Sequence, residues 1–178
     1  MQEGQRKEGL TKHMRVRQPL WLVGFLAASY GAAGLGSAFT FRALNSGWYR
    51  RLRRPRWTPP DRLFGPVWTI LYTQMAISAW LVRRGATNGD PKHAQAARAA
   101  LVAWFAQLAL NVAWSAAFFG ARSPAKGMLV ISMLWLAIIA TVGLSARVQK
   151  VAGVLLLPYL AWTSFAAALN LSIWQRNR

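Results

Sequence analysis

Gln107, Asn111 and Asn170 put carboxamides inside stretches otherwise made of apolar and small residues, and Trp114, Trp135 and Trp162 lie deep in the same stretches. A carboxamide donates and accepts at once. An indole offers a broad apolar face with a single N–H to satisfy. Residues of these types can line a ligand cavity inside a helix bundle, or hold helices together. Acid–base or nucleophilic catalysis asks instead for His, Cys or a carboxylate. The chain has no Cys, and its two histidines, His13 and His93, lie outside the apolar stretches. Neither a metal-ligand cluster nor a set of catalytic residues is expected.

The spacing puts these residues on shared faces. Gln107, Asn111, Trp114, Ser115 and Phe118 recur at one side of a helix, and Ala109, Ala113, Ala117 and Ala121 fall on the opposite side. The alanine side suits close packing, either within the monomer or across a homodimer. Trp162, Ala166 and Asn170 share a second face, and Pro158 stands one turn earlier, where a kink opens space beside the indole. Each amide alone reads two ways: as glue between helices, worth about 0.6–2 kcal/mol, or as a polar point on a cavity wall. Gly24, Ala28, Ala32 and Gly36 recur every four residues, a stripe that admits a close neighbour. Of ten tryptophans, Trp21, Trp80 and Trp174 sit where an interfacial belt would place them. Trp114, Trp135 and Trp162 do not, and point to the protein interior.

The elements that position these groups follow from charge. The 178 residues are 54% hydrophobic, yet 22 Lys and Arg against 4 Asp and Glu give a net charge of +18. All charges are excluded from five runs, 18–41, 63–82, 99–121, 127–146 and 151–175. Each run reaches the roughly 20 residues with which an α-helix crosses about 30 Å of hydrocarbon. The expected fold is an all-α membrane protein, a bundle of five transmembrane helices in a single domain over 18–178, with a basic N-terminal extension over 1–17. The first run exceeds the apolar core of a signal peptide, about 7–15 residues, and reads as a retained helix. The basic excess at run ends reads as contact with lipid headgroups rather than nucleic acid. Eleven Lys and Arg fall on each side of a five-span topology, so positive charge does not orient the chain.

One connection is long. Residues 42–62 read as a lid: Pro55, Pro59 and Pro60 stiffen it, and Trp48, Tyr49 and Trp57 give it apolar surface to bury against the bundle. The connection over 83–98 holds Asn88, Gly89, Asp90 and Pro91, a turn signal.

Three blocks, WYRRLRRPRWTPPDRLFGPVWTILY over 48–72, QLALNVAWSAAFFGAR over 107–122 and PYLAWTSFAAALN over 158–170, resemble the TspO/MBR family of translocator and tryptophan-rich sensory proteins. The resemblance runs from the first helix onward and leaves the first 17 residues without a counterpart. It implies a compact five-helix bundle, commonly dimeric, with a cavity capped by the loop between the first two helices. It also implies porphyrin binding, and in eukaryotic members binding of cholesterol and synthetic aromatic drugs. By position, the pocket would use Trp68, Asn111, Trp114, Trp162, Ala166 and Asn170, and the lid Tyr49, Trp57, Pro59 and Pro60. Two departures narrow it. Leu171 and Ser172 follow Asn170 where the family's sterol motif has a Tyr, so Arg176 lacks that partner, although Leu44, Tyr49 and Arg51 fit a looser sterol pattern. The early fourth helix, GMLVISML, offers Ser132 where members often carry a carboxylate.

The function this implies is porphyrin binding for transport, sensing or regulation of tetrapyrrole levels, with no cofactor. Because His and Cys are absent from the helices, a strong axial ligand is missing and a metal-free porphyrin fits better than haem. The lid arginines Arg50, Arg51, Arg53, Arg54, Arg56 and Arg62 either pair with its carboxylates or contact headgroups. Two alternatives stay open: light-driven breakdown of bound porphyrin, with Trp supplying or quenching radicals, and a structural membrane protein whose centre is filled by its own side chains.

Overall fold

The computed structural model describes the backbone of residues 2–86 and 91–178, and side chains from Pro19 onward within those ranges. The expected turn at Asn88, Gly89 and Asp90 lies outside the described residues. Among the described residues the chain forms helices and no strand: α1 (Gln2–Asn45), α2 (Trp48–Arg51), α3 (Phe64–Gly85), α4 (Pro91–Ser115), α5 (Pro124–Val148), α6 (Lys150–Val154) and α7 (Leu157–Arg176). A π-helical turn, Ala116–Gly120, continues α4, and a 3₁₀ turn, Asp61–Leu63, leads into α3.

Four segments are long and apolar enough to cross a membrane: Pro19–Asn45, Pro91–Gly120, Pro124–Val148 and Lys150–Arg176. The fifth run expected to span, 63–82, becomes α3, a long helix outside that set. Thr69, Tyr72, Thr73, Gln74 and Ser78 dilute its apolar character. The molecule is an all-helical multi-pass membrane protein of four such spans and one further long helix.

Several boundaries move outward from the uncharged runs, because a helix continues until its backbone is stopped rather than until its side chains turn polar. α1 extends through Asn45 and ends where Gly47 takes a left-handed φ of 71°, with the Gly47 N–H bonded back to the Leu44 carbonyl. α4 begins at Pro91, so most of the connection expected over 83–98 is helical. α5 begins at Pro124 because Ser123 caps it, its Oγ accepting the Lys126 N–H at 3.2 Å. The expected kink at Pro158 is a break between α6 and α7, where the proline, lacking an N–H, leaves the preceding turn open.

α4 packs along α5, α1 against α3 and α4, and α5 against α7. α1 approaches α4 closely at Gly36, where a Cβ would stand 3.1 Å from Ser115 Oγ. Only Ala32 and Gly36 of the expected small-residue stripe are buried; Gly24 is exposed. α3 and α7 meet through rings: Phe64 on Trp162, with centroids 5.8 Å apart, and Trp68 on Tyr159, 6.2 Å apart.

The tryptophans sort as their N–H groups and faces demand. The three belt residues each carry an arginine over the ring, Arg83 on Trp21, Arg84 on Trp80 and Arg178 on Trp174, at 4.7–5.1 Å from the centroid. Trp135 departs from the interior position read from its depth. It lies on the outer surface, where Ser164 Oγ on α7 accepts its N–H at 2.8 Å. A local acceptor lets an indole face lipid without an orphaned donor.

Candidate ligand-binding site

At the end of the bundle where α1, α4 and α7 finish, a small cavity of about 40 Å³ is lined by Tyr49, Phe64, Trp114, Phe118, Phe119, Trp162, Phe165, Ala166, Leu169, Asn170 and Ile173. Its walls are built by register. On α7, Trp162, Ala166, Asn170 and Ile173 recur every three or four residues, interleaved with Phe165 and Leu169. On α4 the π turn is decisive. The Ala121 N–H reaches back five residues to the Ala116 carbonyl at 2.7 Å, and the wider turn aims both Phe118 and Phe119 at the cavity. The rings interlock: Trp114 stacks on Phe118 at 5.7 Å, and Trp162 tilts over Phe165 at 5.6 Å.

Asn170 is the polar point of this wall. Its Oδ1 accepts the Trp114 indole N–H at 3.1 Å, and its Nδ2 donates to the Pro124 carbonyl at 2.7 Å, so one amide ties α7 to α4 and α5. Gly127 makes room for it: a Cβ there would stand 2.7 Å from Asn170 Oδ1 and 2.8 Å from Phe118 Cδ2.

The lid closes the open side. Tyr49 is buried against Phe119, Trp48 meets Phe118 edge-on, and Trp57 meets Phe165 edge-on. Burial pushes the Tyr49 phenol above its usual value, and Arg54, whose guanidinium stands 4.9 Å over the ring, opposes that shift. The phenol is neutral at physiological pH. Arg54 also faces Asp61 at 3.7 Å. Beyond them lies an open polar groove lined by Arg50, Arg54, Thr58, Pro59, Pro60 and Asp61.

The residues singled out from the sequence divide. Trp114, Trp162, Ala166, Asn170 and Tyr49 line the cavity, and Trp57 covers it. Pro59 and Pro60 lie on the groove side of the lid. Asn111 and Trp68 sit deeper. Asn111 Oδ1 accepts the Tyr72 hydroxyl at 2.7 Å while its Nδ2 donates to the Tyr159 hydroxyl at 3.0 Å, and Trp68 packs on both tyrosine rings. Phe64, Phe119, Phe165, Leu169 and Ile173 were not read from the sequence. The α7 members continue the Trp162 periodicity and were legible in principle; Phe119 depends on a π turn that no residue pattern announces.

Residues 23–175 match the TspO/MBR family. The chain belongs to it. Among its relatives, the tryptophan-rich protein TspO of Chlorobaculum tepidum is 43% identical over 143 residues, covering 80% of this chain and 86% of that protein. Protein CrtK of Rhodobacter capsulatus is 37% identical, covering 89% and 92%, and the human translocator protein is 35% identical with the same coverage. Membership in this family accords with the membrane-spanning helices.

Proposed function

We propose that this protein binds a porphyrin between the lid and the aromatic wall, in the service of tetrapyrrole transport, sensing or regulation. The observation that supports this most is the wall itself: Trp114, Phe118, Trp162 and Phe165 gathered around the fixed amide of Asn170, under a lid rich in arginine. Flat rings stack on indole and phenyl faces, and guanidinium groups pair with carboxylates at the rim. The relatives' names, translocator and sensory protein, support transport or sensing over a purely structural role.

The cavity of about 40 Å³ holds little more than one water, whereas ligand pockets run to about 300–1,000 Å³. On this reading the structure is a closed form, and a porphyrin enters when Tyr49 and Trp57 part from Phe119 and Phe165. The reading extends to topology, with α3 as a fifth span. Its 22 residues reach about 33 Å at 1.5 Å per residue, and Tyr72 and Ser78 turn their polar groups into protein, Ser78 Oγ donating to the Ala152 carbonyl at 2.7 Å. It extends to a homodimer as well, supported by the exposure of Ala109 and Ala113 on the outer side of α4.

Titrating the protein in nanodiscs with protoporphyrin should quench tryptophan fluorescence saturably, and Trp162→Ala should weaken the affinity about tenfold, in line with the loss of one stacking face and its buried area. Quenching without saturation, or an unchanged affinity in Trp162→Ala, overturns the reading.

A further inference from the structure

Asn177, the residue just past α7, touches the lid in a way its position at the end of the chain does not announce. Its Oδ1 accepts the Arg53 N–H at 3.0 Å and its Nδ2 donates to the Arg53 carbonyl at 3.1 Å, so one side-chain amide pairs with both polar groups of a single lid residue. The same Nδ2 donates to the Ile173 carbonyl at 2.7 Å, which closes the last turn of α7. Ile173 lines the cavity. One amide thus holds the lid to the helix that forms the cavity wall.

Nothing else described does this with hydrogen bonds. Those of residues 46–60 otherwise stay inside the lid or run back to α1: Ser46 and Gly47 to Arg42, Ala43 and Leu44, Arg51 to Gly47, Leu52 to Tyr49, and Thr58 to Pro55. The remaining lid contacts with the bundle are apolar: ring pairs of Trp48, Tyr49 and Trp57 with Phe118, Phe119 and Phe165, and Leu52 packed against the same cluster. None of these fixes the direction of a hydrogen bond. A carboxamide supplies a donor and an acceptor side by side, matching the C=O and N–H of the one residue Arg53.

We infer that Asn177 is the latch of the lid: it positions Tyr49 and Trp57 over the cavity, and its release from Arg53 is the step that admits and frees the ligand. The ligand part of this rests on the porphyrin reading; the latch itself does not.

The chain has no cysteine, so Ala166→Cys places a single thiol on the cavity wall beneath the lid. In full-length protein in nanodiscs, labelling of that thiol by a water-soluble maleimide reads lid opening without any ligand. Adding Asn177→Leu, which keeps the shape and removes the polar atoms, should speed labelling about tenfold, the factor that two modest hydrogen bonds make in an equilibrium. Arg178→Ala, whose side chain stacks over Trp174 instead of the lid, should leave labelling unchanged. Thermal unfolding of both variants serves as the check that the bundle is intact. Labelling of Asn177→Leu within twofold of the parent overturns the latch.

With protoporphyrin as probe, Asn177→Leu should accelerate association and release by similar factors and change the affinity less than threefold. Faster release with unchanged association marks a lost ligand contact and overturns the gating role. Faster labelling with no porphyrin binding in any variant sinks the porphyrin reading and sustains the latch. Binding with unchanged labelling does the reverse.

Discussion

Gly127→Ala should weaken porphyrin binding at least tenfold and lower stability by about 1–3 kcal/mol, the usual cost of overpacking a filled interior. The added methyl has nowhere to go. It would stand 2.7 Å from Asn170 Oδ1, 2.8 Å from Phe118 Cδ2 and 3.0 Å from Phe118 Cβ. Asn170 cannot withdraw without losing the Trp114 indole or the Pro124 carbonyl, and Phe118 is held between Trp48, Trp114 and Phe119. The displacement therefore propagates into the cavity wall, the surface proposed to hold the porphyrin. Gly143 on the same helix is the control: a Cβ there meets nothing within 4 Å, so Gly143→Ala should gain up to about 1 kcal/mol from helix propensity. Equal binding by wild type and Gly127→Ala, with stability also unchanged, would show that the wall yields freely and that Gly127 carries no packing role.

What could be read before the structure, and what could not, follows from the range of the forces involved. The uncharged runs marked the long helices because a charge in hydrocarbon is too costly to scatter. The same logic misplaced their ends, since Arg42 and Lys126 sit in the terminal turns of α1 and α5. Gly47, Ser123 and Pro91 set the true limits through backbone geometry and capping. Helical periodicity put Gln107, Asn111, Trp114 and Phe118 on one face, and that face is inward. Periodicity gives no depth, however. It could not separate Asn170, which stiffens the cavity wall, from Asn111, which lies a layer below among hydroxyls, or Gln107, whose Nε2 meets Met75 Sδ at 3.7 Å. Trp135 shows the other limit. Its partner Ser164 is on a different helix, so no local pattern revealed that an outward-facing indole would be satisfied. The contact between Asn177 and Arg53 spans 124 positions and was equally invisible.

The second large effect belongs to that lower layer. Asn111→Leu is expected to destabilise the bundle by about 2–4 kcal/mol, although it exchanges a polar residue for an apolar one of similar volume. Tyr72 and Tyr159 both address the amide and both are buried, Tyr159 completely. Leucine leaves both buried hydroxyls without their amide partner, at about 1–3 kcal/mol each. The low end applies because side-chain bonds in membranes are weaker on average and Thr163 stands beside the Tyr159 hydroxyl. The penalty lies in the orphaned hydroxyls rather than in the lost amide, which gives the prediction its sharper form. In Tyr72→Phe/Asn111→Leu/Tyr159→Phe every polar atom of the trio is gone, and replacing all partners by apolar groups of the same shape is nearly neutral. The triple variant should therefore be more stable than Asn111→Leu alone, a reversal that summed single effects do not produce. Unfolding in mixed micelles would measure it, with Trp68, which packs on both tyrosine rings, as the local reporter. Additive losses across the three positions would mean that the tyrosines are held by ring packing and that the amide between them is incidental.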